Sequence, residues 1–134
     1  MTVLRTYARV WSDDAEAALP LLERITGERP HLRLAFESVE LMAIGDFLVI
    51  AGPAEERERY APASATVVVS DLDALLEDLD RAGAVVTVPP TTSPTGRFAY
   101  ARHADGIAVE YVQWTPELVA AHTDRTRARE RAST

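Results

Sequence analysis

Apolar and polar residues alternate over "TVLRTYARV", placing Leu4, Thr6, Ala8 and Val10 on one face and Val3, Arg5, Tyr7 and Arg9 on the other. The period of two predicts a first strand, small and apolar on one side, large and polar on the other. The pattern then lengthens in "SDDAEAALPLLERITG", where Ser12 or Asp13 serves as N-cap, acidic residues fill the first turn and Gly27 ends the helix. Pro20 interrupts that helix unless a kink or a late start accommodates it. Three strand-like runs follow, "HLRLAFES", "VELMAIG" and "DFLVIAG", the last two joined by a turn at Gly45-Asp46. Residues 1–52 therefore read as a βαβββ module.

Residues 53–62, within "PAEERERYAPA", carry two prolines, many charges and no periodicity, and read as a linker. Beyond them the order of elements repeats. "SATVVVS" is a strand, and "DLDALLEDLDRAG" a helix with Leu72, Leu75, Leu76 and Leu79 on one stripe and Gly83 as its stop. "AVVTVPP" is a strand cut off by Pro89 and Pro90, "TTSPTG" a polar loop, and "RFAYARH" with "IAVEYVQW" a closing hairpin around Asp105-Gly106. Residues 63–114 thus form a second βαβββ module, and 115–134 a charged tail with a short helix from Pro116 that frays into disorder. One module alone would leave a face of its sheet uncovered. Two together close that face, which predicts an α+β fold: a curved, partly closed, eight-stranded mixed sheet around a cavity, with the helices outside.

Composition narrows the function classes. Cysteine is absent, which removes disulfides, thiolate metal sites and a cysteine nucleophile. A net charge of −7 argues against a nucleic-acid partner, whose phosphates require a basic surface. All basic residues are arginine, so no lysine is available as Schiff-base former or general base. No run approaches the ~18 apolar residues of a membrane span, and no secretory signal pattern opens the chain. The expectation is a cytoplasmic protein without nucleic-acid or membrane partners.

In the second half, "VVVSDLDALLEDLDRAGAVV" and "GRFAYARHADGIAVEYVQ" resemble the vicinal oxygen chelate superfamily, which includes glyoxalase I, extradiol dioxygenases and the bleomycin and fosfomycin resistance proteins. The resemblance spans about residues 1–114 and is weaker in the first half. It implies the paired βαβββ fold and, from relatives, a homodimer. It also implies metal ligands early in the first strand of each half and late in the last, positions that fall here on Arg5, Ile50, Ser64 and Glu110. Only Glu110 matches. Arginine has no lone pair to donate and isoleucine no donor atom, and His31, His103 and His122 stand at none of these positions. No metal and no other cofactor is expected.

Glu110 lies between Val109 and Tyr111 in an apolar strand, so its carboxylate must face solvent, a cation or a cavity. Alternation sends Arg5, Tyr7 and Arg9 to one face of their half, with Ser64, Thr66 and Val68 on the matching face of the other. An Arg5–Glu110 ion pair across the cavity is the expectation, each charge answering the other's desolvation. Leu48 (or Phe47), Ile50, Tyr100 and Trp114 complete the expected lining, with Trp11 beside an opening. Such a pocket suits metal-free binding of a planar or cationic compound, as in the drug-binding members of the resembled superfamily. The alternative is a glyoxalase-like lyase, isomerase or dioxygenase in which Glu110 acts as metal ligand or general base. The residues leave open whether the chain is an enzyme.

Overall fold

The computed structural model describes residues 1–123; the run 124–134, expected to be disordered, lies outside the described residues. The first half folds as β1 (Val3–Ser12), α1 (Ala15–Thr26), β2 (Leu32–Phe36), β3 (Val39–Ile44) and β4 (Phe47–Ala51). After a short helix α2 (Ala54–Arg57), the second half repeats the order as β5 (Ala65–Val69), α3 (Leu72–Arg81), β6 (Val85–Ser93), β7 (Gly96–Arg102) and β8 (Ala108–Trp114). Helix α4 (Pro116–His122) follows.

The strands form one eight-stranded mixed sheet in the order β2-β3-β4-β1-β5-β8-β7-β6, curled into a half-barrel. β1 and β5 pair antiparallel at its centre, with Tyr7 opposite Thr66. Each also has the last strand of its own half parallel on its other side, β4 beside β1 and β8 beside β5. The pairing order is thus symmetric about the β1–β5 seam.

Alternation along the strands divides the core. On the outer face, Leu72 and Leu75 of α3 are buried and Leu76 and Leu79 pack beside them, against Val69, Ala99, Ala101, Val109 and Tyr111. Ala15, Ala18, Leu19 and Leu22 of α1 cover Met42, Val49 and Ala51. The intervening residues, Leu48, Ile50, Val68, Phe98, Tyr100, Val112 and Trp114, point the other way into a third cluster with Tyr7. Each fully buried aliphatic side chain of this kind contributes about 1.5–3 kcal/mol.

Helix α3 begins where Asp71 accepts from the Ala74 amide at 3.0 Å, and the Gln113 side-chain oxygen takes the Leu72 amide at 2.8 Å. The second contact ties the helix start to β8. Helix α1 is capped by Asp14 rather than by Ser12 or Asp13, because the Asp14 carboxylate reaches the Glu16 amide. The helix then runs through Pro20 to Gly27, whose φ of 68° closes it. Pro20 lies on the exposed side but removes one amide from the ladder. Pro20→Ala is therefore expected to stabilise the fold by about 1–2 kcal/mol, after allowing for the greater freedom of the unfolded chain. A urea midpoint that does not rise would show that the helix has adapted to the ring.

Two expectations need correction. Strand β6 continues through Pro89 and Pro90 to Ser93, so the polar loop shrinks to a turn at Pro94-Thr95. Because β6 is an edge strand and its register shifts between Val88 and Thr91, the prolines omit no bond that a neighbouring strand requires. The segment read as a linker also has structure. It contains α2 and is strapped to the β2–β3 turn by Tyr60 and Arg59 on Glu37, at 2.8 and 3.3 Å, and by Ser38 on Glu56 at 2.5 Å. Tyr60 is buried as a result.

Candidate functional site

The hollow of the curled sheet has a volume of about 660 Å³, open solvent at its mouth included. Its walls are largely apolar. Leu32, Leu34 and Phe36 of β2, Leu41 and Ala43 of β3, and Leu48 and Ile50 of β4 form one side. Phe98, Val112 and Trp114 face them from the second half, the Phe98 ring meeting Phe36 edge-on with centroids 5.7 Å apart. Tyr7 joins the walls, its ring 6.1 Å from that of Trp114 and its hydroxyl 2.6 Å from Nε2 of His31.

The polar floor follows from register. Tyr7 opposes Thr66 across the β1–β5 seam, Thr66 opposes Glu110 across β5–β8, and Glu110 opposes Tyr100 across β8–β7. One row across four strands therefore brings these side chains to the same face. The Thr66 hydroxyl donates to Oε1 of Glu110 at 2.7 Å. Arg9, two residues along β1 from Tyr7, donates from Nη2 to the Tyr100 hydroxyl at 2.9 Å. Its guanidinium carbon lies 5.5, 6.0 and 5.3 Å from the ring centroids of Trp11, Tyr60 and Tyr100, so three aromatic faces surround the charge.

Burial raises the pKa of Glu110, against the opposing influence of the Arg9 charge and of hydrogen bonds from Thr66 and Tyr100. Burial likewise raises the Tyr100 hydroxyl, with the Glu110 charge adding to it, so Tyr100 remains a phenol. The folded state holds the Glu110 proton more firmly than the unfolded chain does. Stability from this group is therefore complete below the ordinary value of 4.5 and declines as pH rises through the elevated one. Urea midpoints measured across this range are expected to fall for the wild type and to flatten for Glu110→Gln. An equal decline in the variant would assign the slope to other groups.

Of the residues singled out in the sequence, Tyr7, Arg9, Leu48, Ile50, Thr66, Tyr100, Glu110 and Trp114 line the hollow. Arg5 and Ser64 do not. Arg5 is buried on the same side of β1, but it donates to the carbonyls of Gly45 and, at 2.6 Å, His122, and approaches Asp46 at 3.6 Å. The expected Arg5–Glu110 pair is thus replaced: Arg5 ties β1 to the β3–β4 turn and to α4, and the cation whose charge acts on Glu110 is Arg9. Ser64 precedes β5 and is exposed. The leucines of β2 and β3, Phe98, Tyr60 and the Ser93–Thr95 turn were not singled out. The alternation of "HLRLAF" and the pairing of Phe98 with Val112 carried that signal, whereas the approach of Tyr60 depends on the strap to Glu37.

The donor set does not fit a chelated dication. Of the four positions at which the resemblance implies ligands, Arg5 and Ile50 offer no lone pair, Ser64 is outside the hollow, and only Glu110 has a suitable atom there. Among the described residues no group of three or more His, Asp or Glu side chains could hold a metal ion. The Arg9 charge near Glu110 opposes a second cation. No chemical step is derived through a metal.

No family model matches the chain, and no curated protein does. Among solved structures, an uncharacterized protein from Methanosarcina mazei superposes with a TM-score of 0.79 at 30% identity, over 86% of this chain and 95% of that one. Methylmalonyl-CoA epimerase from Mycobacterium tuberculosis superposes at 0.65 with 18% identity, over 89% and 93%. The Streptomyces coelicolor methylmalonyl-CoA epimerase in complex with a nitronate-propionyl-CoA does so at 0.65 with 15% identity, over 85% and 99%. The two epimerases are similar in fold. No helix among the described residues is long and apolar enough to cross a membrane.

Proposed function

We propose that this chain, which has the fold of the vicinal oxygen chelate superfamily, is a small-molecule-binding protein that holds a planar, largely apolar compound in its hollow without a metal. The observation that carries this reading is the polar floor of Arg9, Tyr100, Thr66 and Glu110, which gives an otherwise apolar pocket fixed hydrogen-bonding groups and no chelating set. Flat rings suit walls built from Phe36, Phe98 and Trp114, the first two meeting edge-on. Sequestration needs nothing more than this.

Thermal unfolding of chelator-treated protein against a panel of planar aromatic compounds tests the reading. Binding to the folded state alone raises Tm by mass action, and the rise is expected to be unchanged when divalent ions are restored. A stoichiometric divalent ion on which ligand binding depends would overturn it.

The position of Glu110 beside the Tyr100 phenol, together with its raised pKa, favours a second reading, in which the carboxyl moves a proton on the bound molecule. The epimerase activity named for two structural neighbours belongs to the class of reaction that such a group performs. Solvent deuterium appearing in a bound carbon acid, and lost in Glu110→Gln, would support proton transfer. Binding without exchange leaves sequestration.

A further inference from the structure

Arg9 is a cation placed where water cannot serve it. It is 7% exposed, reaches the hollow from β1 and makes no ion pair among the described residues. Of its three nitrogens, Nη2 is taken by the Tyr100 hydroxyl, while Nε and Nη1 are buried without a hydrogen-bond partner. One N–H on the first and two on the second are unmatched. The nearby acid does not complete them: Oε1 of Glu110 accepts from Thr66 on the neighbouring strand, and neither Nε nor Nη1 of Arg9 is hydrogen-bonded to the carboxylate. A desolvated guanidinium with no carboxylate hydrogen-bonded to it is costly, and three aromatic faces offset only part of that cost. An anion in the hollow would supply the rest, since guanidinium binds carboxylates through charge-assisted hydrogen bonds.

We infer that the natural ligand is an organic acid whose carboxylate docks against Arg9 while its apolar body lies along the Phe36, Phe98 and Leu41 walls. The inference rests on the small-molecule reading above and deepens it, and it sets an anionic ligand in place of the cationic one that the resemblance to drug-binding proteins offered. The net charge of −7 describes the whole surface. Of the two ionisable side chains at the floor of the pocket, Arg9 is permanently charged, whereas Glu110 can be neutralised by a proton. Burial also disfavours ionisation of Glu110, which leaves the positive charge of Arg9 less opposed.

Matched probes of one shape separate the alternatives: naphthoate, naphthamide and naphthylmethylamine, with benzoate, benzamide and benzylamine as a smaller set, titrated by calorimetry into full-length protein. The acids are expected to bind at least tenfold more tightly than their amides, and the amines weakest. In Arg9→Gln, and in Arg9→Met as a second variant of similar length, the acid preference is expected to vanish, the affinities of acid and amide converging. Acid and amide binding equally to the wild type would overturn the carboxylate inference and leave the small-molecule reading standing. So would a preference for the amines, or an acid preference that survives in a folded Arg9 variant. Should acids, amides and amines all fail to bind, the small-molecule reading falls and the inference with it.

Discussion

Trp114→Ala is expected to lower the unfolding free energy by about 3–5 kcal/mol, the usual range for removing a large buried aromatic side chain. The residue is 5% exposed at the end of β8, with its ring centroid 6.1 Å from that of Tyr7 and 6.4 Å from that of His122. It therefore joins the pocket wall to α4, whose Leu118 and Val119 pack on the same cluster. Truncation opens a void on the inner face and detaches the helix from its support. Against a total stability of about 5–15 kcal/mol for a domain of this kind, the variant is expected to be largely unfolded in mild urea. A loss below about 1 kcal/mol would mean that the walls collapse into the vacated space. In Trp114→Phe a flat ring remains, so most stability and the ligand-induced rise in Tm should persist.

Gly96→Ala is expected to destabilise by about 3 kcal/mol, combining backbone strain with overpacking. Gly96 opens β7 with φ of +142°, a conformation that L-residues rarely adopt. A Cβ built there would lie 2.1 Å from the Gln113 carbonyl oxygen and 3.2 Å from the Thr115 amide nitrogen. Both atoms are backbone, so no side-chain rotation relieves the clash. The Thr115 amide is also committed to the Thr95 carbonyl at 2.9 Å, which holds the Pro94-Thr95 turn, itself part of the pocket lining. The variant should thus lose ligand affinity with stability, and equilibrium urea unfolding measures the main effect. An unchanged midpoint would show that β7 and β8 can separate at this end.

Much of the fold was readable because a strand's side chains alternate strictly. In β4, β5, β7 and β8 the inner residues Leu48 and Ile50, Thr66 and Val68, Phe98 and Tyr100, and Glu110 and Val112 interleave with outer ones covered by α1 and α3. A residue two positions away shares a face whatever the rest of the molecule does. Hence Tyr7, Arg9, Thr66 and Glu110 could be assigned to one surface before any coordinates. Local reading failed where a distant partner altered a local rule. Pro89 and Pro90 end a strand only if the sheet continues beyond them, and β6 is its edge. The 53–62 stretch has no periodicity, yet it is held in place by Glu37 and Ser38 from another hairpin.

By itself the sequence determined the two βαβββ halves, the faces of their strands and the lack of a donor atom at Arg5 and Ile50, because these follow from neighbours in the chain and from the chemistry of single residues. Only the tertiary structure decided which cation answers Glu110. Arg5 and Arg9 share a face and a chemistry, and alternation cannot rank them. The β3–β4 turn and the end of α4 supply carbonyls that claim Arg5, whereas Arg9 meets Tyr60 and Tyr100 from remote parts of the chain, with Trp11 of its own strand beside them. A buried charge is assigned by the partners that reach it, and those partners converge only when the sheet has curled.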